Sequence, residues 1–117
     1  MFVVQKEGYV LDHLNVIFCS DRYLHRHNIT YLQHDTLTDV ITFDYATVPQ
    51  SVLADIYISI ERVKENATVY RKDTQEELRL VLVHGLLHVL GYNDQQAEEK
   101  AMMHAKELEY LQWLANF

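Results

Sequence analysis

The stretch HGLLHVLGYND, His84 to Asp94, is where this chain gathers the side chains best suited to chemistry. Two histidines stand four apart in an apolar run, a glycine ends the run, and an aspartate follows three residues later. In an α-helix, residues four apart lie one above the other on one face, with about 5–6 Å between their Cβ atoms. His84 and His88 are thus spaced to aim two ring nitrogens at one point. Gly91 can take the left-handed conformation that commonly ends a helix, and the short reach to Asp94 then brings a carboxylate to the same point. Two imidazoles and a carboxylate leave a four-coordinate ion one open position for water, the pattern of a catalytic metal site and not of a closed structural one. The plainer alternative is a pair of core histidines satisfied by backbone or carboxylate partners. That explanation suits one histidine on an apolar helix better than two at this spacing beside a glycine stop and an acid. His84, His88 and Asp94 are therefore expected to hold one divalent transition-metal ion.

The spacing HxxxHxxGxxD also resembles the metzincin proteases, whose signature begins HExxHxxGxx. Those enzymes place a glutamate after the first histidine to take a proton from water at the metal. Here that position is Gly85, so the proteolytic mechanism lacks its general base and a protease is disfavoured.

The elements that must position these groups are legible around them. TQEE makes Thr74 the expected N-cap of a helix with Glu77 closing a capping box, and Gly91 marks the end, so Gln75 to Leu90 is predicted helical. From Leu80 to Leu90 that helix is apolar on nearly every side, which places it in the middle of the domain. LNVIFCS (Leu14 to Ser20), DVITFDY (Asp39 to Tyr45) and LADIYIS (Leu53 to Ser59) are short and rich in branched or aromatic residues, and read as strands. Pro49 breaks the pattern between the last two. Ser20 and Asp21 can cap a short helix carrying Arg22, Leu24 and Arg26, and Ser59 can cap another from Ile60 to about Tyr70. A last helix is predicted from about Gln96 to Ala115, with an apolar stripe of Met103, Leu108, Leu111 and Leu114. The expected fold is α+β, a single small mixed sheet packed against helices with the metal motif on a buried central helix.

Composition bounds the function. At 117 residues, with 49% hydrophobic and 23% charged residues, residues 1–117 are expected to form one globular domain. A net charge of −7 argues against a chain held to nucleic acid by bulk charge, but leaves room for a locally basic groove. The lone Cys19 excludes an intramolecular disulfide, and no run reaches the roughly 18 apolar residues of a membrane span. A soluble protein of a reducing compartment is expected, with no membrane partner.

HGLLHVLGYND is similar to the HGxLHLxGYDH signature of the YbeY family of metal-dependent endoribonucleases. TDVITF, Thr38 to Phe43, resembles that family's T-[DN]-V-L-S-F strand, and LADIYIS resembles its GDI-type strand. Met103 and Glu107 fall where the family's following helix carries Met and Glu, so the likeness runs from about Leu14 to Glu107. It implies a cytoplasmic nuclease that cuts single-stranded RNA in ribosomal RNA maturation, at the 3′ end of the small-subunit RNA, with zinc as its ion and ribosomal proteins as possible neighbours. Three departures stand out. The family's third ligand is usually histidine, where this chain has Asp94; a carboxylate is the harder donor and makes Mn or Fe more competitive with Zn. Leu32 follows Tyr31 where many members have an arginine tied to RNA cleavage, so either another group such as His34 compensates as a catalytic candidate or the activity is weakened. Family members usually begin with a further strand and most of a helix, so the N-terminus is expected to be short relative to the family.

The remaining polar residues carry weaker signals. Arg22, His25, Arg26 and His27 form the most basic stretch, suited either to phosphate or to a solvated helix face. Asp39 and Asp55 read first as structural carboxylates, Met102 and Met103 as core packing. His13 and His104 have no evident partner. Two rivals to the nuclease stay open: a ribosome-assembly factor with a structural metal, and a non-haem iron enzyme using two histidines and a carboxylate as a facial triad.

Overall fold

Alternation builds the sheet. In β3 (Ser51–Ser59), Val52, Ala54, Ile56 and Ile58 are buried on one face while Leu53, Asp55 and Tyr57 are half-buried on the other. β1 (Val10–Cys19) runs parallel to β3 and β2 (Val40–Asp44) antiparallel to it, giving a mixed sheet in the order β1-β3-β2. The computed structural model describes residues 2–32 and 39–115, and the side chains of all of these but residues 2, 27, 29–32 and 115. Helices complete the order: α1 (Phe2–Lys6) before β1, α2 (Asp21–Leu32) between β1 and β2, then α3 (Ile60–Val69), α4 (Thr74–Val89) and α5 (Ala97–Ala115). This is the expected α+β architecture.

β1 starts four residues earlier than the apolar run from Leu14 suggests. Asp12 and His13 interrupt the strand-like composition, yet the backbone pairs with β3 from Val10 onward, and a bulge between Leu11 and His13 takes up the extra residue. Backbone pairing needs no particular side chain, so composition understated the strand.

α4 lies across the inner face of the sheet. Its Val81, Val83, Leu86, Leu87 and Val89 join Val52, Ile56 and Ile58 in one core, and burying each of these large aliphatic side chains contributes roughly 1.5–3 kcal/mol. The helix comes close to the sheet at Gly85, where a Cβ would meet Val40 Cγ2 at 3.1 Å and Ile56 Cγ2 at 3.2 Å. The missing side chain next to His84 is therefore what lets the helix sit down on β2 and β3.

The caps correct one expectation and bear out another. Ser59 caps α3, accepting from Arg62 N at 3.1 Å. The N-cap of α4 is Asp73 and not Thr74: Asp73 keeps an extended backbone (φ −65, ψ 142) and accepts from Gln75 N at 3.3 Å. With the cap one residue earlier, Thr74 opens the helix and Glu77 turns into the protein, 3.6 Å from Lys72 Nζ. Of the stripe read on α5, Met103 is buried, Leu111 and Leu114 are half-buried and Leu108 is exposed, contrary to expectation, while Tyr110, outside that stripe, is fully buried. Met102 also points outward, so only Met103 of that pair packs in the core. Among the described residues no helix is long and apolar enough to cross a membrane.

Candidate metal centre

The last turns of α4 bring the two imidazoles together. His84 Nε2 and His88 Nε2 lie 3.1 Å apart, with the rings nearly perpendicular at 83°. Asp94 Oδ2 stands 3.5 Å from His88 Nε2 and 3.8 Å from His84 Nε2. Donors bound at ~2.0–2.1 Å to a tetrahedral ion are about 3.3–3.4 Å apart. The three donor atoms are thus already at nearly the separations a shared ion requires, and among the described residues they are the group that could hold a metal ion. The side chains of His84, His88 and Asp94 are 30%, 29% and 44% exposed, which leaves the cluster open to solvent on one side.

The loop that delivers Asp94 is fixed at both backbone and side chain. Gly91, at φ +97, turns the chain out of α4. Tyr92 N then donates to Leu87 O at 3.0 Å and Gly91 N to His88 O at 3.1 Å, the paired bonds of a Schellman stop. Tyr9 OH donates to Leu90 O at 2.9 Å, and Tyr92 OH to Glu7 Oε1 at 2.5 Å. Glu7 also accepts from Tyr110 OH, and Lys106 Nζ lies 3.5 Å from it. Burial alone would raise the Glu7 carboxyl, but the hydrogen bonds from Tyr110 and Tyr92 and the Lys106 charge outweigh it and hold the carboxyl below its ordinary value. Burial, reinforced by the Glu7 carboxylate, pushes the phenols of Tyr92 and Tyr110 upward. One carboxylate near the start of the chain thereby ties α5 to the loop beside the metal cluster.

Glu107 is the site residue that spacing alone did not assign. Its Oε1 lies 2.8 Å from His84 Nδ1, and the residue is buried. A proton held on Nδ1 by this carboxylate leaves the Nε2 lone pair directed at the cluster, the usual support of a metal-binding histidine. Only its family position pointed to it, because a partner 23 residues away in sequence leaves no local pattern.

Other residues singled out in the sequence fall elsewhere. Asp55 accepts from Asn15 Nδ2 at 3.0 Å across the strands, a structural role. Arg22 and Arg26 line a separate shallow depression with Ser20 and Tyr23, and His13 is exposed on β1. His104, which had no evident partner, lines the cleft next to His84 and Asp94. His34 lies outside the described residues, as do the side chains of His27 and Leu32.

A buried helix with two imidazoles at its end, a carboxylate on the following loop and a supporting acid from the last helix define an α+β domain built around a cluster that could hold a metal ion. The chain belongs to the YbeY family: the family model described as Endoribonuclease YbeY matches residues 2–115. The Endoribonuclease YbeY of Amoebophilus asiaticus is 54% identical over 114 residues, which span 97% of this chain and 76% of that protein. That of Cytophaga hutchinsonii is 50% identical over 105 residues, 90% of this chain and 73% of the relative. The solution structure of a Thermotoga maritima protein superposes with a TM-score of 0.67 at 31% identity, covering 98% of this chain and 79% of that one.

Proposed function

We propose that this chain is a metal-dependent endoribonuclease that cuts single-stranded RNA and acts in the cytoplasm in maturation of ribosomal RNA, at the 3′ end of the small-subunit RNA and among ribosomal proteins. The observation that carries this reading is the convergence of His84 Nε2, His88 Nε2 and Asp94 Oδ2 within hydrogen-bonding to near-contact distance in a chain of the YbeY family. These three residues would hold the ion, with zinc as the proposed identity; the hard carboxylate of Asp94 makes Mn and Fe closer competitors than three imidazoles would. When bound, the ion supplies Lewis acidity at a phosphoryl oxygen and offsets the negative charge that builds there. The protein's share is orientation. Glu107 holds the proton at His84 Nδ1, the Gly91 turn sets Asp94 against the imidazoles, and Gly85, pressed against the sheet, keeps the position after His84 free of an acid–base group.

The test is metal content and cleavage measured on the same preparations. The wild type is expected to carry close to one transition-metal ion per chain and to cut a single-stranded RNA while sparing a duplex of the same sequence. His84→Ala and His88→Ala should lose both ion and cleavage. Full metal occupancy in both variants would overturn the ligand assignment. Metal without cleavage in the wild type would favour the assembly-factor reading, for which the net charge of −7 speaks.

A further inference from the structure

Lys100, Met103, His104 and Glu107 fall at i, i+3, i+4 and i+7 of α5, so they share one face of that helix. The inner pair is fixed: Met103 is buried and Glu107 is bonded to His84. The outer pair, Lys100 and His104, is exposed. All four, with His84 and Asp94, line one open cleft of about 350 Å³. The Glu107–His84 bond sets the register of α5 against α4, and so fixes the two outer residues beside the metal cluster.

Charge gives this arrangement a use. A divalent ion with Asp94 as its one anionic ligand keeps a single positive charge, and the Glu107 carboxylate behind His84 cancels it. The net charge of the centre is then about zero, so it adds little long-range attraction for a polyanion beyond the phosphate it contacts directly, and the chain around it is acidic. Lys6, Lys72 and Lys106 are each paired with a carboxylate. The Lys100 and His104 side chains have no hydrogen bond or ion pair among the described residues, and Lys100 is the cation in the lining of this cleft. A lysine ammonium binds phosphate as a point charge with three donors, and an imidazole N–H adds a directed one.

We propose that Lys100 and His104 form a phosphate subsite, contacting the backbone of single-stranded RNA on the α5 side of the metal cluster. The proposal rests on the endoribonuclease reading and adds the residues that would supply the positive charge an acidic nuclease needs.

The experiment is fluorescence anisotropy of a labelled 2′-deoxy oligonucleotide, which resists cleavage that depends on a 2′-hydroxyl, titrated with the metal-loaded chain over a range of salt. Lys100→Ala should weaken binding roughly three- to tenfold at low salt. It should also reduce the slope of log K against log[salt] by about 0.7, the share of one phosphate contact on a single strand. His104→Ala should weaken binding while His104→Gln, which keeps an N–H donor, retains most of it. Lys64→Ala removes the same charge from the exposed side of α3 and should change neither affinity nor slope. Metal content, measured by elemental analysis, should be equal in all four variants. If Lys100→Ala behaves like Lys64→Ala while the wild type binds and cuts RNA, the subsite is wrong and the two residues are a solvated helix face. If the wild type neither binds nor cuts single strands, the subsite and the nuclease reading fall together.

Discussion

At the scale of single residues, the candidate metal site depends on a proton that its three donor residues do not themselves control. His84 can present Nε2 as a lone pair only while Nδ1 keeps its hydrogen, and Glu107 accepts that hydrogen from a buried position. Glu107→Ala removes the acceptor and leaves the N–H unpaired. Metal affinity should fall roughly 10–100-fold, and Glu107→Gln, which keeps an oxygen acceptor without the charge, should fall less. Competition against a chromophoric chelator measures both. Equal affinities in the wild type and the alanine variant would mean that Glu107 only packs α5 against α4. The candidate ligands were legible in the sequence because an i, i+4 pair and a glycine stop are local patterns. Glu107 gave no such pattern: its role exists only once α5 has docked. The same limit explains His104, which had no sequence neighbour to give it meaning, and Lys100, which no local pattern singled out.

Among the elements, α4 carries the argument, since it must be a helix, end at Gly91 and lie flat on the sheet. Its beginning was misread by one residue because Asp73 and Thr74 are both good caps and a capping box favoured the second; the extended backbone at Asp73 decides it. Asp73→Ala should therefore cost about 1 kcal/mol of stability and Thr74→Ala little, a difference that urea denaturation resolves. Its middle was read correctly as buried, but the reason for Gly85 was not visible. Sequence showed only that a general base was missing, whereas the packing shows that even a Cβ at this position would press on Val40 and Ile56. Gly85→Ala gains about 1 kcal/mol in helix propensity and loses roughly 1–3 kcal/mol by overpacking against two stiff β-branched side chains. A net destabilisation on the order of 1 kcal/mol is expected, with a lowered urea midpoint and an unchanged m-value. A more stable Gly85→Ala variant would show that the sheet gives way easily there. Gly85→Glu, which forces a charge into the same space, should not fold.

Across the whole molecule, the Glu7 carboxylate joins α5, through Tyr110 and Lys106, to the ligand-bearing loop, through Tyr92. Its carboxyl is held below the ordinary 4.5 in the folded chain and returns to that value on unfolding. The native state therefore binds the Glu7 proton less readily than the unfolded state does. The stability this provides is fully present above pH 4.5 and is lost as the pH falls through 4.5 and past the folded value. Glu7→Gln should be less stable than the wild type at neutral pH, and the gap should narrow below about pH 4. Urea midpoints of the two proteins across that range test it; a constant gap would assign the loss to packing instead of charge.

The order of the sheet also has a consequence in time. β2 and β3 form a local antiparallel pair, with Asp44 opposite Ala54, whereas β1 pairs with a strand whose partner residues, Val10 with Ser51 and Cys19 with Ser59, lie roughly 40 positions apart along the chain. Closing so long a loop is an entropic cost met before the pairing returns anything, so β1 should dock after the β2–β3 hairpin has formed. In stopped-flow refolding, Val16→Ala in β1 should chiefly speed unfolding, while Ile56→Val at the seat of α4 should slow folding. Until β1 docks, β3 lacks the neighbour that covers one of its edges, and the interval in which the chain can pair with the wrong strand is set by this single late step.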